Sequence, residues 1–165
     1  MEYLTQKAGF DGVYLIVTPL NPFKQTHALP TGQARFDAAV EAVARHPELR
    51  VKVLDIELKM TPPQYTIRTL DSLRALEPEN EFTLVIGADN LAGFQGWRCH
   101  ERILREYGVV VFPRKGYHRG HCKARLLRED PSFKIRLLDA PLVTISSTEI
   151  REGMAAGRDM SKWLM

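Results

Sequence analysis

Short apolar segments recur along the chain and predict the strands of a sheet. They are Val13–Val17, Val51–Leu58, Phe82–Ile86, Val109–Phe112 and Phe133–Leu138. Apolar segments of this length, bounded by glycine, proline or polar residues, are typical of strands that are buried on both faces. Strands of that kind belong to parallel sheets covered by helices.

Apolar residues at helical spacing fill the intervals between these strands. Met1–Ala8 has the pattern of the end of a helix, and further helices are predicted through Phe36–Ala44, from Thr66 onwards and from Trp97 to Tyr107. Strands that alternate with helices at this rhythm predict an α/β fold with a doubly wound parallel sheet. We expect a single domain over residues 1–165.

The stretch His118–Arg128 is the most polar and basic part of the chain and is predicted to be a solvated loop. His118 and His121 lie beside Cys122, and histidine and cysteine are the usual ligands of a zinc site. No second pair of ligands accompanies them at a helical or turn spacing, so we predict no metal site from these residues.

Composition and charge narrow the classes of function. The chain has 165 residues, of which 44% are hydrophobic, and a net charge of +3. Its basic residues form no stripe with interleaved aromatic residues, so we predict no nucleic-acid partner. No apolar run reaches membrane-spanning length and no signal-peptide pattern follows Met1. Because Cys99 and Cys122 form no disulfide framework, we expect a reduced, cytoplasmic protein.

Candidate binding residues lie at or after the ends of predicted strands, where parallel α/β sheets bind their ligands. Lys24 follows the first strand, Asp89 the third and Arg114 the fourth. Alternatives remain open at each position, because a loop lysine is usually solvated and an aspartate after a strand often caps a helix or turn. Trp97, further along, is either a core residue or an aromatic surface for a planar ring.

The stretch Ile145–Arg151 follows the last strand and predicts the start of a helix. Ser146 and Glu149 have the spacing of a capping box. A helix start with free N–H groups, several hydroxyls and Arg151 one turn in can bind an anion such as phosphate. An ordinary, well-capped helix is the alternative for this stretch taken alone.

Five motifs in chain order resemble those of the nicotinate mononucleotide adenylyltransferases, a family of the nucleotidyltransferase α/β superfamily. They are Thr18–Lys24, Pro63–Leu70, Ile86–Leu91 with Trp97 behind it, Pro113–Tyr117 and Ile145–Arg151. The last motif marks the superfamily, whereas the pieces around Tyr65 and Asp89 point to the pyridine-nucleotide branch. The resemblance implies a Rossmann-like nucleotidyltransferase fold.

The same resemblance implies a reaction and a set of site residues. The family transfers the adenylyl group of ATP, with Mg²⁺, to nicotinate mononucleotide, and releases pyrophosphate in NAD biosynthesis. The residues implied to hold the ATP phosphates are Ser146, Ser147, Thr148 and Arg151, with Lys24 as a supporting cation. The residues implied to hold the mononucleotide are Tyr65 and Thr66 near its carboxylate, Asp89 at a ribose, Trp97 on the pyridine ring and Arg114 as a further cation.

One part of the family pattern is not found in its usual place. The family begins with a strand and a glycine-rich turn that lead into a His-x-Gly-His motif, whereas residues 1–8 resemble the end of the helix that would carry it. The family's closing helix would lie beyond Met165. We therefore assign no catalytic histidine, expect an N-terminally truncated version of the fold, and expect weak or no turnover from these 165 residues alone.

Two other functions remain open from the sequence. One is a non-catalytic nucleotide-binding module that keeps the Trp97 and Arg151 ends of the site. The other is a related adenylyltransferase that acts on another phosphate, such as phosphopantetheine, although this leaves the Tyr65 and Trp97 motifs unexplained. The sequence does not decide between nicotinate and nicotinamide mononucleotide, and it leaves a homo-oligomer open.

Overall fold

The computed structural model describes residues 1–19, 31–142 and 156–157. The chain divides into two compact units, of which the first comprises residues 1–64 and 145–165 and the second residues 65–144. Strands and helices alternate in both, and every strand pair is parallel. The predicted α/β class is therefore confirmed.

The first unit contains a two-stranded parallel sheet. Its elements are α1 (Glu2–Gln6), β1 (Val13–Ile16), α2 (Gly32–Ala44), a 3-10 turn (Pro47–Leu49), β2 (Val51–Leu54) and α3 (Ile56–Lys59). β1 pairs with β2 in a register that sets Val13 opposite Val51. The Thr31 hydroxyl caps α2 by accepting a hydrogen bond of 3.1 Å from the Ala34 N–H.

The second unit contains a three-stranded parallel sheet in the order β3-β4-β5. Its elements are α4 (Thr66–Leu76), β3 (Leu84–Gly87), α5 (Ala88–Ala92), a 3-10 turn (Phe94–Gly96), α6 (His100–Arg102), a π-helical turn (Ile103–Tyr107), β4 (Val109–Phe112), α7 (Arg119–Glu129) and β5 (Ile135–Leu137). Leu84 lies opposite Val109, and Val109 lies opposite Ile135. All three strands therefore end at the same edge of the sheet.

Burial is concentrated in the second unit, around its central strand. Val109, Val110 and Val111 of β4 are almost completely buried, whereas every residue of β1 is only partly buried. Leu91 of α5 and Leu126 of α7 are fully buried in the same unit. A strand covered by helices gains the most from burying β-branched side chains, which is why the apolar run of β4 predicts its bounds well.

Two predicted elements were wrong. The stretch His118–Arg128, predicted to be a loop, forms most of α7, because Leu126 is buried and Cys122, one turn earlier, packs against the core. The segment predicted as a strand from Val51 to Leu58 leaves the sheet at Leu54. The N–H groups of Leu58 and Lys59 donate to the Asp55 carbonyl at 2.9 and 3.3 Å, which closes the turn of α3.

Among the residues that the structure describes, no helix is long and apolar enough to cross a membrane.

Candidate functional site

The carboxyl ends of β3 and β4 place two of the predicted residues next to each other. Gly87, the last residue of β3, pairs with Phe112, the last residue of β4. Asp89 follows β3 and Arg114 follows β4. Arg114 Nε lies 3.7 Å from Asp89 Oδ1. About half of each side chain is exposed, so this pair contributes little to stability and remains accessible to a ligand.

The absence of a side chain at Gly87 makes room for this pair. A Cβ atom built at Gly87 would lie 2.3 Å from Asp89 Oδ1 and 3.2 Å from Arg114 Nε. The first distance is far below van der Waals contact. The glycine therefore leaves room for the Asp89 carboxylate in its present position, and an added Cβ would displace that flexible side chain.

The start of α4 forms a second part of the site. Tyr65 is the N-cap residue, and it is 42% exposed. The Tyr65 carbonyl accepts hydrogen bonds from the N–H groups of Arg68 and Thr69. Within the described parts of the chain, the N–H groups of Thr66 and Ile67 have no acceptor, and the Tyr65 side chain does not cap them. An unpaired first turn of this kind carries partial positive charge.

Trp97 lies immediately after the 3-10 turn and is held from one side. The backbone N–H of Trp97 donates a hydrogen bond of 2.9 Å to the Phe94 carbonyl. Its ring stacks on that of Phe94, with ring centroids 4.9 Å apart and an angle of 26° between the planes. Phe94 is completely buried, so the core fixes the indole while Trp97 itself stays only partly buried. Trp97 therefore packs on the core and keeps part of its surface exposed, and its role as a surface for a planar ring stays a prediction.

Arg98 is a residue of this region that the sequence analysis did not single out. Its guanidinium carbon lies 5.9 Å from the centroid of the Tyr65 ring, at a distance typical of a cation–π contact. Arg98 is exposed and, in the described ranges 1–19, 31–142 and 156–157, has no hydrogen bond or ion pair. A basic residue directly after Trp97 was the available signal, but the contact with Tyr65 joins residues far apart in the chain.

A network of charged side chains ties α4 to the segment that follows Trp97. Arg102 binds both oxygens of Asp71 with hydrogen bonds of 3.0 and 3.2 Å, and the Tyr107 hydroxyl donates to Asp71 at 2.6 Å. Glu106 accepts from Arg102 at 2.8 Å and from Arg74 at 2.9 Å. Bidentate arginine–carboxylate pairs fix the orientation of both partners. The network therefore holds α4, which begins after Tyr65, against the segment that follows Trp97.

The network shifts the pKa values of its members. Hydrogen bonds from Arg102 and then Arg74 lower the pKa of Glu106 to about 2. Burial, and then the hydrogen bond to Asp71, raise the pKa of Tyr107 to about 12. Burial acts to raise the pKa of Asp71, but the hydrogen bonds from Tyr107 and Arg102 outweigh it and the pKa is lowered. All three groups therefore keep their usual charge at neutral pH.

The remaining predicted residues lie outside the described residues. They are Lys24, Ser146, Ser147, Thr148 and Arg151. The structure thus brings together Asp89 with Arg114, and Tyr65 with Arg98. The role of each predicted residue stays a prediction.

One histidine prediction needs correction. His118, Arg119, Gly120 and His121 do have the spacing His-x-Gly-His, although we assigned no histidine pair to that motif. His118 is the N-cap residue of α7, and this helix follows β4. The spacing therefore occurs in the chain, but after a later strand than the one it follows in the family pattern.

Comparison with known proteins decides the family. A family model described as "Cytidylyltransferase-like" matches residues 3–153. The chain belongs to this family. A relative from Porphyromonas gingivalis, named "Probable nicotinate-nucleotide adenylyltransferase", is 35% identical over 163 residues, which cover 99% of this chain and 79% of the relative. A relative of the same name from Bacteroides fragilis is 38% identical over 163 residues, covering 99% of this chain and 77% of the relative.

Solved structures support the fold of this cytidylyltransferase-like chain. The structure of Plasmodium falciparum nicotinic acid mononucleotide adenylyltransferase complexed with NaAD matches with a TM-score of 0.72 at 15% identity. The match covers 98% of this chain and 78% of that one. The same enzyme complexed with APC matches with a TM-score of 0.69. The predicted Rossmann-like nucleotidyltransferase fold is therefore confirmed.

Proposed function

We propose that this chain transfers the adenylyl group of ATP to nicotinate mononucleotide, giving nicotinate adenine dinucleotide and pyrophosphate for NAD biosynthesis. One observation of the structure carries the proposal. In a chain of this family, Asp89 and Arg114 meet 3.7 Å apart at the carboxyl ends of adjacent parallel strands. That edge is where such sheets bind nucleotides.

The pyridine end of the mononucleotide fits the start of α4 and the segment Trp97–Arg98. The indole of Trp97, held by Phe94, offers a fixed surface for a planar ring. The unpaired N–H groups of Thr66 and Ile67 favour binding of an anionic group such as the pyridine carboxylate. The exposed guanidinium of Arg98 adds a full positive charge 5.9 Å from the centroid of the Tyr65 ring.

The ribose and phosphate groups fit the edge of the sheet. Asp89 is an acceptor for a ribose hydroxyl, because its carboxylate is exposed and only loosely paired with Arg114. Arg114 neutralises phosphate charge. We assign the ATP phosphates to Ser146, Ser147, Thr148, Arg151 and Lys24, on the strength of the sequence motifs alone.

The reaction needs positioning more than a reactive side chain. An oxygen of the mononucleotide phosphate attacks the α-phosphorus of ATP, and the bond from that phosphorus to the bridging oxygen of pyrophosphate breaks. Negative charge builds on the leaving pyrophosphate, and two anionic substrates must be brought together, so fixed cations and correct alignment supply the rate enhancement. Mg²⁺ enters with ATP as part of the co-substrate and offsets part of this charge.

We also propose that both compact units act as one nucleotidyltransferase domain in the cytoplasm. A non-catalytic nucleotide-binding module and an adenylyltransferase for another phosphate are the competing functions. Pyrophosphate release with ATP and Mg²⁺ separates them when nicotinate mononucleotide, nicotinamide mononucleotide and phosphopantetheine are compared as acceptors, with the chain preceded by the first strand and His-x-Gly-His segment of a relative. Release that depends on the pyridine nucleotides supports the proposal. Release with phosphopantetheine alone refutes it, and binding of the mononucleotide without any release favours the module.

A further inference from the structure

Three side chains of types that can bind a metal ion lie together in the second unit, where the start of α6 meets the end of α7. They are His100, Glu101 and Glu129. One imidazole nitrogen and one oxygen from each carboxylate lie within 4.8 Å of one another. The group is separate from His118, His121 and Cys122, the residues that raised the question of zinc in the sequence.

The three side chains are partly pre-arranged for a ligand. His100 Nε2 lies 2.8 Å from Glu129 Oε1, and Gln95 Nε2 donates to the other oxygen of Glu129 at 2.7 Å. The carboxylate is therefore oriented by two partners from different segments. His100 is also largely covered, since its side chain is 18% exposed. A hydrogen bond from a neighbouring amide orients a metal ligand and reduces the side-chain conformational entropy that the ligand loses when it binds a metal.

The ion pair between His100 and Glu129 does not account for the third group. Glu101 brings a second carboxylate to the same place, and its nearest cation, Arg105, is 4.0 Å away. Arg105 makes its short contact, at 2.6 Å, with Asp130 instead. Glu101 therefore has no short ion pair among the described residues, and a cation bound beside Glu129 would offset the repulsion between the two carboxylates.

We propose that His100, Glu101 and Glu129 bind a divalent transition-metal ion, with Zn²⁺ as the best fit. One imidazole nitrogen and two carboxylate oxygens form a donor set that zinc accepts, and Zn–N and Zn–O distances are about 2.0–2.2 Å. His100, Glu101 and Glu129 would hold the ion, which would take the place of the hydrogen bond between His100 Nε2 and Glu129 Oε1.

Metal binding at this place joins two helices that are far apart in sequence. His100 begins α6, three residues after Trp97, and Glu129 ends α7. A metal held by both would stabilise the folded second unit in proportion to its occupancy, because the unfolded chain does not hold the three ligands together. The expected signature is a rise in melting temperature with zinc concentration.

The test is calorimetric titration of Zn²⁺ into the tag-free chain and four variants. H100Q removes the imidazole but keeps a hydrogen-bond donor, and E129Q removes one carboxylate while keeping its shape. The matched controls are C99S, which removes the exposed thiol beside the site, and the double variant H118N/H121N, which removes the other histidine pair. Far-UV circular dichroism checks that each variant is folded.

We expect one zinc per chain, an affinity at least roughly tenfold weaker in H100Q and in E129Q, and unchanged affinity in both controls. Co²⁺ in place of Zn²⁺ should give a visible spectrum without a thiolate charge-transfer band. The proposal would be overturned by absence of zinc binding, by H100Q or E129Q binding zinc as tightly as the original chain, or by loss of binding in C99S or in H118N/H121N.

Discussion

Replacement of Gly87 by alanine perturbs the edge of the sheet at a single point. The backbone at Gly87 has φ of −86°, a conformation that alanine adopts without strain. The added Cβ, however, would lie 2.3 Å from Asp89 Oδ1 and 3.2 Å from Arg114 Nε. Since the backbone is acceptable, the clash must be relieved by rotation of the Asp89 side chain.

That rotation should weaken substrate binding more than it lowers the free energy of unfolding. Asp89 is 43% exposed and can turn into solvent, so G87A should lose about 0.5–1.5 kcal/mol of stability at most. A hydrogen bond between a ribose hydroxyl and the carboxylate contributes about 1.5–3 kcal/mol. Loss of that bond weakens binding of nicotinate mononucleotide by roughly 10-fold to 150-fold.

Calorimetric titration of nicotinate mononucleotide measures this loss, with the melting temperature recorded for the same samples. Gly93→Ala is the matched control, because a Cβ at Gly93 meets no atom within 4 Å. We expect G93A to bind like the original chain and G87A to bind more weakly while melting within about 6 °C of it. Unchanged affinity in G87A would refute the placement of Asp89 at the substrate.

Three further predictions concern the same unit. Trp97→Ala should weaken binding of nicotinate mononucleotide by roughly tenfold, through loss of ring stacking, whereas Trp97→Phe should retain most of it; equal binding in both would contradict the stacking role. Arg98→Ala should weaken binding of nicotinate mononucleotide more than that of nicotinamide mononucleotide, because only the first carries a carboxylate for the guanidinium; an equal loss for both would refute this. The pKa of Glu106 is lowered to about 2 in the folded state, so its contribution to stability is present above about pH 5 and is lost as the pH falls towards 2. Urea unfolding should therefore show Glu106→Gln to be less stable by up to about 1 kcal/mol at pH 7, with the difference vanishing near pH 2; a constant difference would contradict the ion-pair explanation.

The strands of the second unit could be predicted because their burial leaves a direct trace in the sequence. Val109–Phe112 is an unbroken apolar run, and its predicted bounds match β4. Once parallel strands are assigned, their carboxyl ends meet at one edge. For that reason the sequence predicted Asp89 and Arg114 to lie after strand ends, whereas the pairing of β3 with β4, which sets them 3.7 Å apart, is known only from the structure.

Other features depend on tertiary contacts that the sequence does not display. α7 buries a narrow stripe with Leu126 at its centre, and basic residues on its other faces hid that stripe. Arg98 reaches Tyr65 across 33 positions, and Arg102 reaches Asp71 across 31. The three side chains proposed to bind a metal likewise come from two helices, whereas the sequence analysis considered His118 and His121, which lie only three positions apart in the chain.

The most direct test of the account is pyrophosphate release from ATP, Mg²⁺ and nicotinate mononucleotide. It compares residues 1–165 with the same chain preceded by the first strand and His-x-Gly-His segment of a relative. We predict that release requires the mononucleotide, is weak or absent for residues 1–165 alone, and rises strongly with the added segment. Failure of both chains to release pyrophosphate, while the mononucleotide still binds, would contradict the adenylyltransferase function.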